Sequence, residues 1–156
     1  MDVPKTYTPT PSLGVYCNTI DKCYYYITEC THFNTKRYSM IDSTVTAIHH
    51  IYLLSNTTTA QLRYSLSSNP VTLKEFYQSH TINESVMLNI AHELLDNMSI
   101  LHSAGVYHGN LSLTTIFISQ ENMQLSLVDF LFPKTITHND PIIPSIQLDT
   151  NQTATV

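Results

Sequence analysis

The spacing of apolar residues in this chain changes once, after Pro70, and this change constrains the fold more than any other feature. Before it, short apolar and aromatic runs are broken by polar residues, a pattern typical of strands in an antiparallel sheet. After it, apolar residues recur three or four apart, which is the spacing of one face of a helix. We therefore expect an α+β protein with a strand-rich first part and a helical second part.

The strand-rich part is expected to cover residues 13–69. The preceding residues 1–12 contain three prolines and no apolar periodicity, so they are expected to form an extended arm. The predicted strands are short runs rich in Tyr, Ile, Thr and Val: Leu13–Cys17, Cys23–Thr28, Arg37–Ile41, Ile48–Leu54 and Leu62–Leu66.

Two helices are expected to follow. The segment Thr72–Glu75 has the T-x-x-E form that caps the first free amides of a helix, and it predicts a short helix to about Ser79. Thr81–Glu84 repeats that form before a longer helix, which should end near Ser103. The apolar face of the longer helix comprises Met87, Ile90, Ala91, Leu94, Met98 and Leu101.

The rest of the chain contains a predicted hairpin and a tail. Ile116–Ser119 and Leu125–Val128 are short apolar runs separated by turn-forming residues. The helices and this hairpin make up a second region, residues 70–134. The Pro-, Thr- and Asn-rich segment 135–156 is predicted to be an irregular tail.

Composition limits the classes of function. With a formal net charge of -5 and seven Lys and Arg residues scattered singly, the chain lacks the concentrated basic surface of nucleic-acid-binding proteins. No apolar run reaches the roughly eighteen residues that a membrane helix needs, and the N-terminus lacks a signal-peptide pattern. The three cysteines form neither a CxxC knuckle nor an even-numbered disulfide framework. We expect a cytoplasmic protein with no nucleic-acid and no membrane partner.

The most informative stretch holds three short motifs: LHSAG at residues 101–105, HGN at 108–110 and DFL at 129–131. In this order, with the hairpin between the last two, they resemble the centre of a eukaryotic-type protein kinase. There, a long helix ending in LHS-x-G precedes the HRD catalytic loop, a hairpin and the DFG motif. The resemblance covers residues 70–131. It implies a protein-kinase-like fold, with a small antiparallel β-rich N-lobe and a truncated helical C-lobe that lacks counterparts of the later kinase helices.

The catalytic-loop-like segment departs from the family at most of its functional positions. The family's catalytic aspartate is replaced by Asn110, whose amide cannot accept a proton near neutral pH. Its arginine is replaced by Gly109 and its lysine by Ser112. Its metal-binding asparagine falls on Thr115, whose hydroxyl is a poorer ligand for a hard cation. His108 is retained, and the resemblance implies that it has a structural role beside the Asp-Phe pair.

The remaining nucleotide and metal positions are also degraded. Asp129 keeps the place of the metal-binding aspartate of DFG and is the candidate residue for Mg²⁺ or ATP. Leu131, however, replaces the glycine that lets the backbone turn freely. Gly14 alone represents the family's glycine loop, and neither a third-strand lysine nor its acidic helix partner is found. The resemblance therefore implies a protein that requires no cofactor, with ATP and Mg²⁺ as optional ligands.

From the resemblance, we expect a catalytically inactive, pseudokinase-like protein that acts as a binding or regulatory module. Its partner is expected to be a protein, either an active kinase or a second copy, because the apolar face of the long helix needs a cover. The tail is a third candidate for that cover. Two alternatives stay open: a residual ATP- and Mg-binding kinase fragment with weak or no phosphotransfer activity, and a non-functional fragment.

Overall fold

A computed structural model of the chain describes residues 3–31, 33–46, 48–55, 59–132, 149–154 and 156. These residues form a mixed α+β fold in which antiparallel sheets pack with helices. The strands are β1 Tyr7–Pro9, β2 Val15–Asn18, β3 Tyr24–Thr31, β4 Ile51–Ser55, β5 Thr59–Leu66, β6 Pro70–Thr72, β7 Ile116–Ser119 and β8 Leu125–Leu127. The helices are α1 Thr35–Val45, α2 Leu73–Ser79 and α3 Glu84–Ser103.

The upper sheet has five strands in the order β1-β2-β3-β5-β4, and every neighbouring pair is antiparallel. Its centre is the long ladder between β3 and β5, in which Tyr26 lies opposite Tyr64. Because side chains alternate along a strand, Tyr24, Tyr26 and Thr28 share one face of β3. That face points toward the lower part of the protein, since Tyr26 contacts Phe117 and Asp129 there.

Four of the five predicted strands overlap strands of this sheet, namely β2, β3, β4 and β5. The fifth, at Arg37–Ile41, is wrong because this segment lies inside α1. The Asn34 side chain accepts a hydrogen bond from the Arg37 amide (3.0 Å) and caps this helix. Arg37, Ile41 and Val45 are buried four residues apart, on one helical face.

The first twelve residues are not only an extended arm. Residues Tyr7–Pro9 form the edge strand β1, whose Tyr7 lies opposite Asn18 of β2. A proline is tolerated in an edge strand because one side of such a strand needs no backbone donor. The upper sheet therefore begins earlier in the chain than the periodicity predicts.

The lower part contains the three-stranded sheet β6-β7-β8 with α2 and α3. The predicted hairpin is present as β7 and β8, which pair antiparallel, and both predicted helices are present. Four of the six residues on the predicted apolar face of α3, Ile90, Leu94, Met98 and Leu101, are buried. No helix in the described ranges is long and apolar enough to cross a membrane.

The predicted irregular tail contains an ordered helical segment, residues 149–154. Part of the tail prediction, residues 135–148, lies outside the described residues. Thr153 and Val156 line a cavity of about 240 Å³ together with Met87, Ile90 and Leu94 of α3. The end of the chain therefore covers part of the apolar face for which a cover was expected.

Only one of the two predicted capping threonines, Thr72, caps its helix in the structure. Thr72 caps α2: its hydroxyl accepts a hydrogen bond from the Glu75 amide (3.1 Å), and the Glu75 carboxylate accepts one from the Thr72 amide (3.4 Å). The cap of α3 is Asn83 and not Thr81, because the Asn83 side chain accepts a hydrogen bond from the Val86 amide (2.9 Å).

We predict that Thr72→Ala lowers the free energy of unfolding by about 1 kcal/mol, because one helix amide loses its acceptor. Thr81→Ala is the matched control and should change it by less than about 0.5 kcal/mol, as expected for an exposed residue outside the cap. Urea denaturation of both variants measures the difference. Equal losses would contradict the assignment of the caps.

Candidate functional site

The candidate site is the cleft between the upper sheet and the lower sheet, which we call the central cleft. Tyr64 of β5 forms its upper wall, and the buried Phe117 of β7 packs against Tyr26 from the lower sheet. Asp129, two residues beyond β8, lies at its inner end. The inward face of β3 places the Tyr26 ring between these walls, with ring centroids 6.1 Å from Tyr64 and 5.6 Å from Phe117.

The Tyr26 hydroxyl donates a hydrogen bond to the Asp129 carboxylate at 2.7 Å. Burial raises the pKa of Tyr26, and the hydrogen bond to Asp129 raises it further, so the phenol keeps its proton at neutral pH. Burial also raises the pKa of Asp129, against the lowering effect of the Tyr26 hydroxyl. The candidate metal ligand predicted from the sequence is therefore engaged by a tyrosine from the opposite sheet.

Two cavities lie near Tyr26, and its side chain lines neither of them. The inner cavity, about 210 Å³, is lined by Thr28, Asn110 and Asp129 among others. The outer cavity, about 400 Å³, is lined by Tyr24, Val71 and Glu75 among others. Tyr24 and Thr28 flank Tyr26 on the same face of β3, so Tyr26 lies between one lining residue of each cavity.

His108 is fully buried and fixes the start of the catalytic-loop-like segment. Its Nε2 donates a hydrogen bond to the Val128 carbonyl (2.6 Å), and its Nδ1 accepts one from the Asn110 amide (3.1 Å). The ring packs against Phe130 at 4.4 Å between centroids. Burial lowers the pKa of His108 to about 4, so the imidazole is neutral at pH 7.

Asn110 and Thr115 make hydrogen bonds within the loop and to backbone atoms. The exposed Asn110 amide donates a hydrogen bond to the Asp129 backbone carbonyl (3.2 Å). Thr115 donates a hydrogen bond from its hydroxyl to the Asn110 carbonyl (2.8 Å) and accepts one from the Ser112 amide (2.9 Å). The hydroxyl of Thr115 thus stabilises the loop between residues 110 and 115.

Gly109 and Leu131 fit against each other. Gly109 has φ +85°, and a Cβ added there would lie 2.9 Å from the Leu131 Cβ. The left-handed backbone near the Asp-Phe-Leu segment occurs at Asp129 (φ 56°) and not at Leu131. Aspartate adopts this conformation more readily than most residues, so the segment turns without a glycine at position 131.

Asp149 is a residue of the site that sequence reasoning missed. Its side chain is fully buried, and its two oxygens accept hydrogen bonds from the His108 and Gly109 amides, both at 2.6 Å. The His102 imidazole Nε2 lies 3.0 Å from the same carboxylate. Nothing in the periodicity of the tail marks this residue, because its contacts lie about forty residues earlier.

Arg37 is the second residue that was missed. Its buried guanidinium donates hydrogen bonds to the carbonyls of Leu131 (2.6 Å) and Tyr107, and it lies over the Tyr107 ring at 3.7 Å. Burial lowers the pKa of Arg37 from a high ordinary value, so the group stays charged at neutral pH. Through these hydrogen bonds, α1 contacts the residue before the HGN loop and the last residue of the Asp-Phe-Leu segment.

The residues of the cleft do not fit a bound magnesium nucleotide. The Asp129 carboxylate already accepts a hydrogen bond from the Tyr26 hydroxyl, and β3 contains neither Lys nor Arg. Ser12 donates a hydrogen bond to Glu75 (3.2 Å) across the outer cavity. Across the described ranges, no three His, Cys, Asp or Glu side chains come together as a metal site. Among the described residues that line the two cavities, a phosphate group would meet carboxylates and neither Lys nor Arg.

The sequence matches none of the protein-family models with which it was compared, and no curated protein is significantly similar to it. The geometry of the cleft and its loop is therefore the basis for a functional proposal.

We predict that Asp149→Ala lowers the free energy of unfolding by about 3 to 5 kcal/mol, because two buried amides and the His102 ring lose their common acceptor. Urea denaturation measures this loss. Asp96→Asn is the control, since Asp96 on α3 is 65% exposed and its ion pair with His92 contributes little. A loss below about 1 kcal/mol for Asp149→Ala would contradict the anchoring role.

Acid should destabilise the protein through two histidines. Burial lowers the pKa of both His49 and His108 to about 4, whereas in the unfolded chain it is about 6.5. Between these values the unfolded chain binds more protons, so the free energy of unfolding falls as the pH decreases from about 6.5 to 4. Each histidine lowers the free energy of unfolding by up to about 1.4 kcal/mol for each pH unit. The raised pKa of Asp129 offsets part of this loss of stability, because the folded protein takes up a proton there more readily than the unfolded chain.

Denaturation curves collected across this pH range measure the slope. His49→Phe should reduce it, whereas His92→Gln, which changes a side chain that is 79% exposed, should leave it unchanged. An unfolding free energy that is constant between pH 7 and 5 would show that these imidazoles are not buried in neutral form.

Proposed function

We propose that this chain is a catalytically inactive relative of eukaryotic-type protein kinases that acts through protein contacts as a binding or regulatory module. The order of elements supports the proposal: an antiparallel sheet interrupted by a helix, then two helices, the HGN loop, a hairpin and DFL. The His108 ring packs on Phe130, which brings the loop and the Asp-Phe pair together as the resemblance implies.

The observation that carries the proposal is the hydrogen bond between Tyr26 and Asp129. In the family, the corresponding aspartate holds a metal ion beside the nucleotide phosphates. Here its carboxylate faces a phenol from β3, and the strand supplies no lysine in its place. The group that would bind the metal ion is used for contact between the two sheets.

The chemistry of phosphoryl transfer lacks a base as well. Transfer needs a residue that accepts the proton of the attacking hydroxyl, together with cations that neutralise the phosphates. Asn110 cannot accept that proton, and its amide donates to the Asp129 backbone. Loss of a positioned base alone costs roughly 10²- to 10⁴-fold in rate. The described lining of the cleft also supplies neither Lys nor Arg, so transfer at a useful rate is not expected.

The exposed side of α3 supports a role in protein contacts. Leu88 and Leu95 lie seven residues apart, on the same side of the helix, and are 62% and 57% exposed. Met87 and Ile100 add further exposed apolar surface to the helix. Surfaces of this kind mark interaction sites when they are contiguous. We propose that this side of α3 binds a protein, either a second copy of the chain or an active kinase.

A thermal-shift titration with ATP, with and without Mg²⁺, tests the proposal. We expect no change in melting temperature, whereas a ligand at 100 times its Kd would add about 2.7 kcal/mol, or roughly 5–10 °C. Asn110→Asp is a matched variant that restores the missing carboxylate. It should not restore phosphate transfer, since the described lining of the cleft still contains neither Lys nor Arg. Light scattering on the same sample shows whether the chain forms a dimer.

A Mg-dependent rise in melting temperature that Asp129→Asn abolishes would overturn the proposal in favour of the residual nucleotide-binding alternative. A melt without a cooperative transition would favour the non-functional fragment. A cooperative melt without a nucleotide effect supports the binding module. Dimers in light scattering then identify a second copy as the partner, and monomers direct the search to an active kinase.

A further inference from the structure

Tyr26 makes a full set of contacts with the walls of the central cleft. Its ring lies at aromatic contact distance from both Tyr64 and Phe117, and its hydroxyl reaches Asp129. One side chain from the upper sheet therefore contacts an aromatic wall on each side and an acceptor at the inner end. This combination of apolar walls and one directed polar group is typical of how a small-molecule site holds its ligand.

The backbone at Gly14 also lies close against the Tyr26 ring. Gly14 has φ +78°, and a Cβ at this position would lie 2.9 Å from Cε1 of the Tyr26 ring. The Gly14 carbonyl accepts a hydrogen bond from the Ile27 amide (3.0 Å), which fixes the turn over β3. The turn before β2 thus closes directly onto the phenol, without space for a second group between them.

The two cavities lie on either side of Tyr26 along β3. The inner space of about 210 Å³ is lined by Thr28 and the outer space of about 400 Å³ by Tyr24, whereas Tyr26 itself lines neither. Ligand sites of small molecules usually measure about 300 to 1,000 Å³. Removal of the phenol is expected to open a further space between Tyr24 and Thr28, beside the walls Tyr64 and Phe117 that the ring now contacts.

We propose that Tyr26 is a built-in ligand of the central cleft: its phenol holds the upper and lower sheets together through Phe117 and Asp129, in the place where a diffusible ligand would otherwise bind. Closure of the cleft is then a property of the folded chain and needs no nucleotide. The inference goes beyond the proposed function, because it assigns the occupant of the cleft and requires neither an enzyme nor a protein partner.

Tyr26→Ala in the full chain tests the occupancy, with p-cresol, the side chain of tyrosine, as the probe. The variant should melt at a lower temperature than the unaltered protein, and p-cresol should raise its melting temperature with saturable one-to-one binding in calorimetry. Small aromatic molecules are known to bind cavities left by a removed side chain. Toluene, which lacks the hydroxyl, should bind at least 10-fold more weakly, since it cannot donate to Asp129.

Tyr52→Ala is the control for non-specific binding, because Tyr52 is 48% exposed and lies outside the cleft. Neither this variant nor the unaltered protein should gain stability from p-cresol. Equal p-cresol binding by Tyr52→Ala and Tyr26→Ala would overturn the proposal. So would a Tyr26→Ala variant that melts at the temperature of the unaltered protein.

Tyr26→Phe tests the hydrogen bond with minimal change in shape and covers the case in which Tyr26→Ala does not fold. It should lower the ratio of folded to unfolded protein about 10- to 100-fold, as expected for loss of a hydrogen bond to a partly buried carboxylate. Amide hydrogen exchange should accelerate in β3 and in residues 129–131, and not in α2. Tyr25→Phe is the matched control, because its hydroxyl bonds to Asp21 outside the cleft (2.8 Å).

Unchanged exchange in both segments of Tyr26→Phe would overturn the claim that this bond closes the cleft. Failure of the proposed function looks different: it would appear as Mg-dependent ATP binding by the unaltered protein. The p-cresol and hydrogen-exchange results do not depend on ATP or on a partner.

Discussion

The loop at residues 108–111 depends on one buried anion. The amides of His108 and Gly109 point into the protein, where an unpaired donor would cost about 1 to 3 kcal/mol, and the Asp149 carboxylate accepts both. With these amides fixed, His108 is placed on Phe130, and the Leu131 amide can donate to the His108 carbonyl (2.9 Å). The geometry of the loop and of the Asp-Phe-Leu segment thus follows from a residue near the end of the chain.

Contacts between the upper and lower parts lie at three depths in the cleft. Ser12 and Glu75 meet at its mouth, Tyr26 and Asp129 in its interior, and Arg37 reaches the carbonyls of Tyr107 and Leu131 behind it. Each contact joins a group of the upper part to a group of the lower part with no third molecule between them. Such direct contacts favour one relative position of the two sheets, because each is short and partly or fully withdrawn from water.

The elements that could be predicted are those with local signals. Thr72 and Glu75 are three residues apart, and the apolar period of α3 extends over five turns, so a single segment contains the information. Helix α1 was not predicted, since its inward face includes Arg37 and its Tyr, Ile and Thr residues favour strands. Contacts of the site join distant residues, such as Tyr26 and Asp129, 103 positions apart. Strand register and loop geometry decide such pairs, and neither can be read from the spacing of residue types.

The close fit of Gly109 and Leu131 has an evolutionary consequence under the proposed relationship with kinases. An ancestor with arginine at position 109 and glycine at position 131 can acquire Gly109 first and Leu131 afterwards without a clash. The reverse path is blocked at its first step if position 109 changes first, because a side chain there would meet the Leu131 Cβ at 2.9 Å. The order of substitutions is therefore constrained in both directions: Gly109 has to precede Leu131, and any return has to begin at position 131.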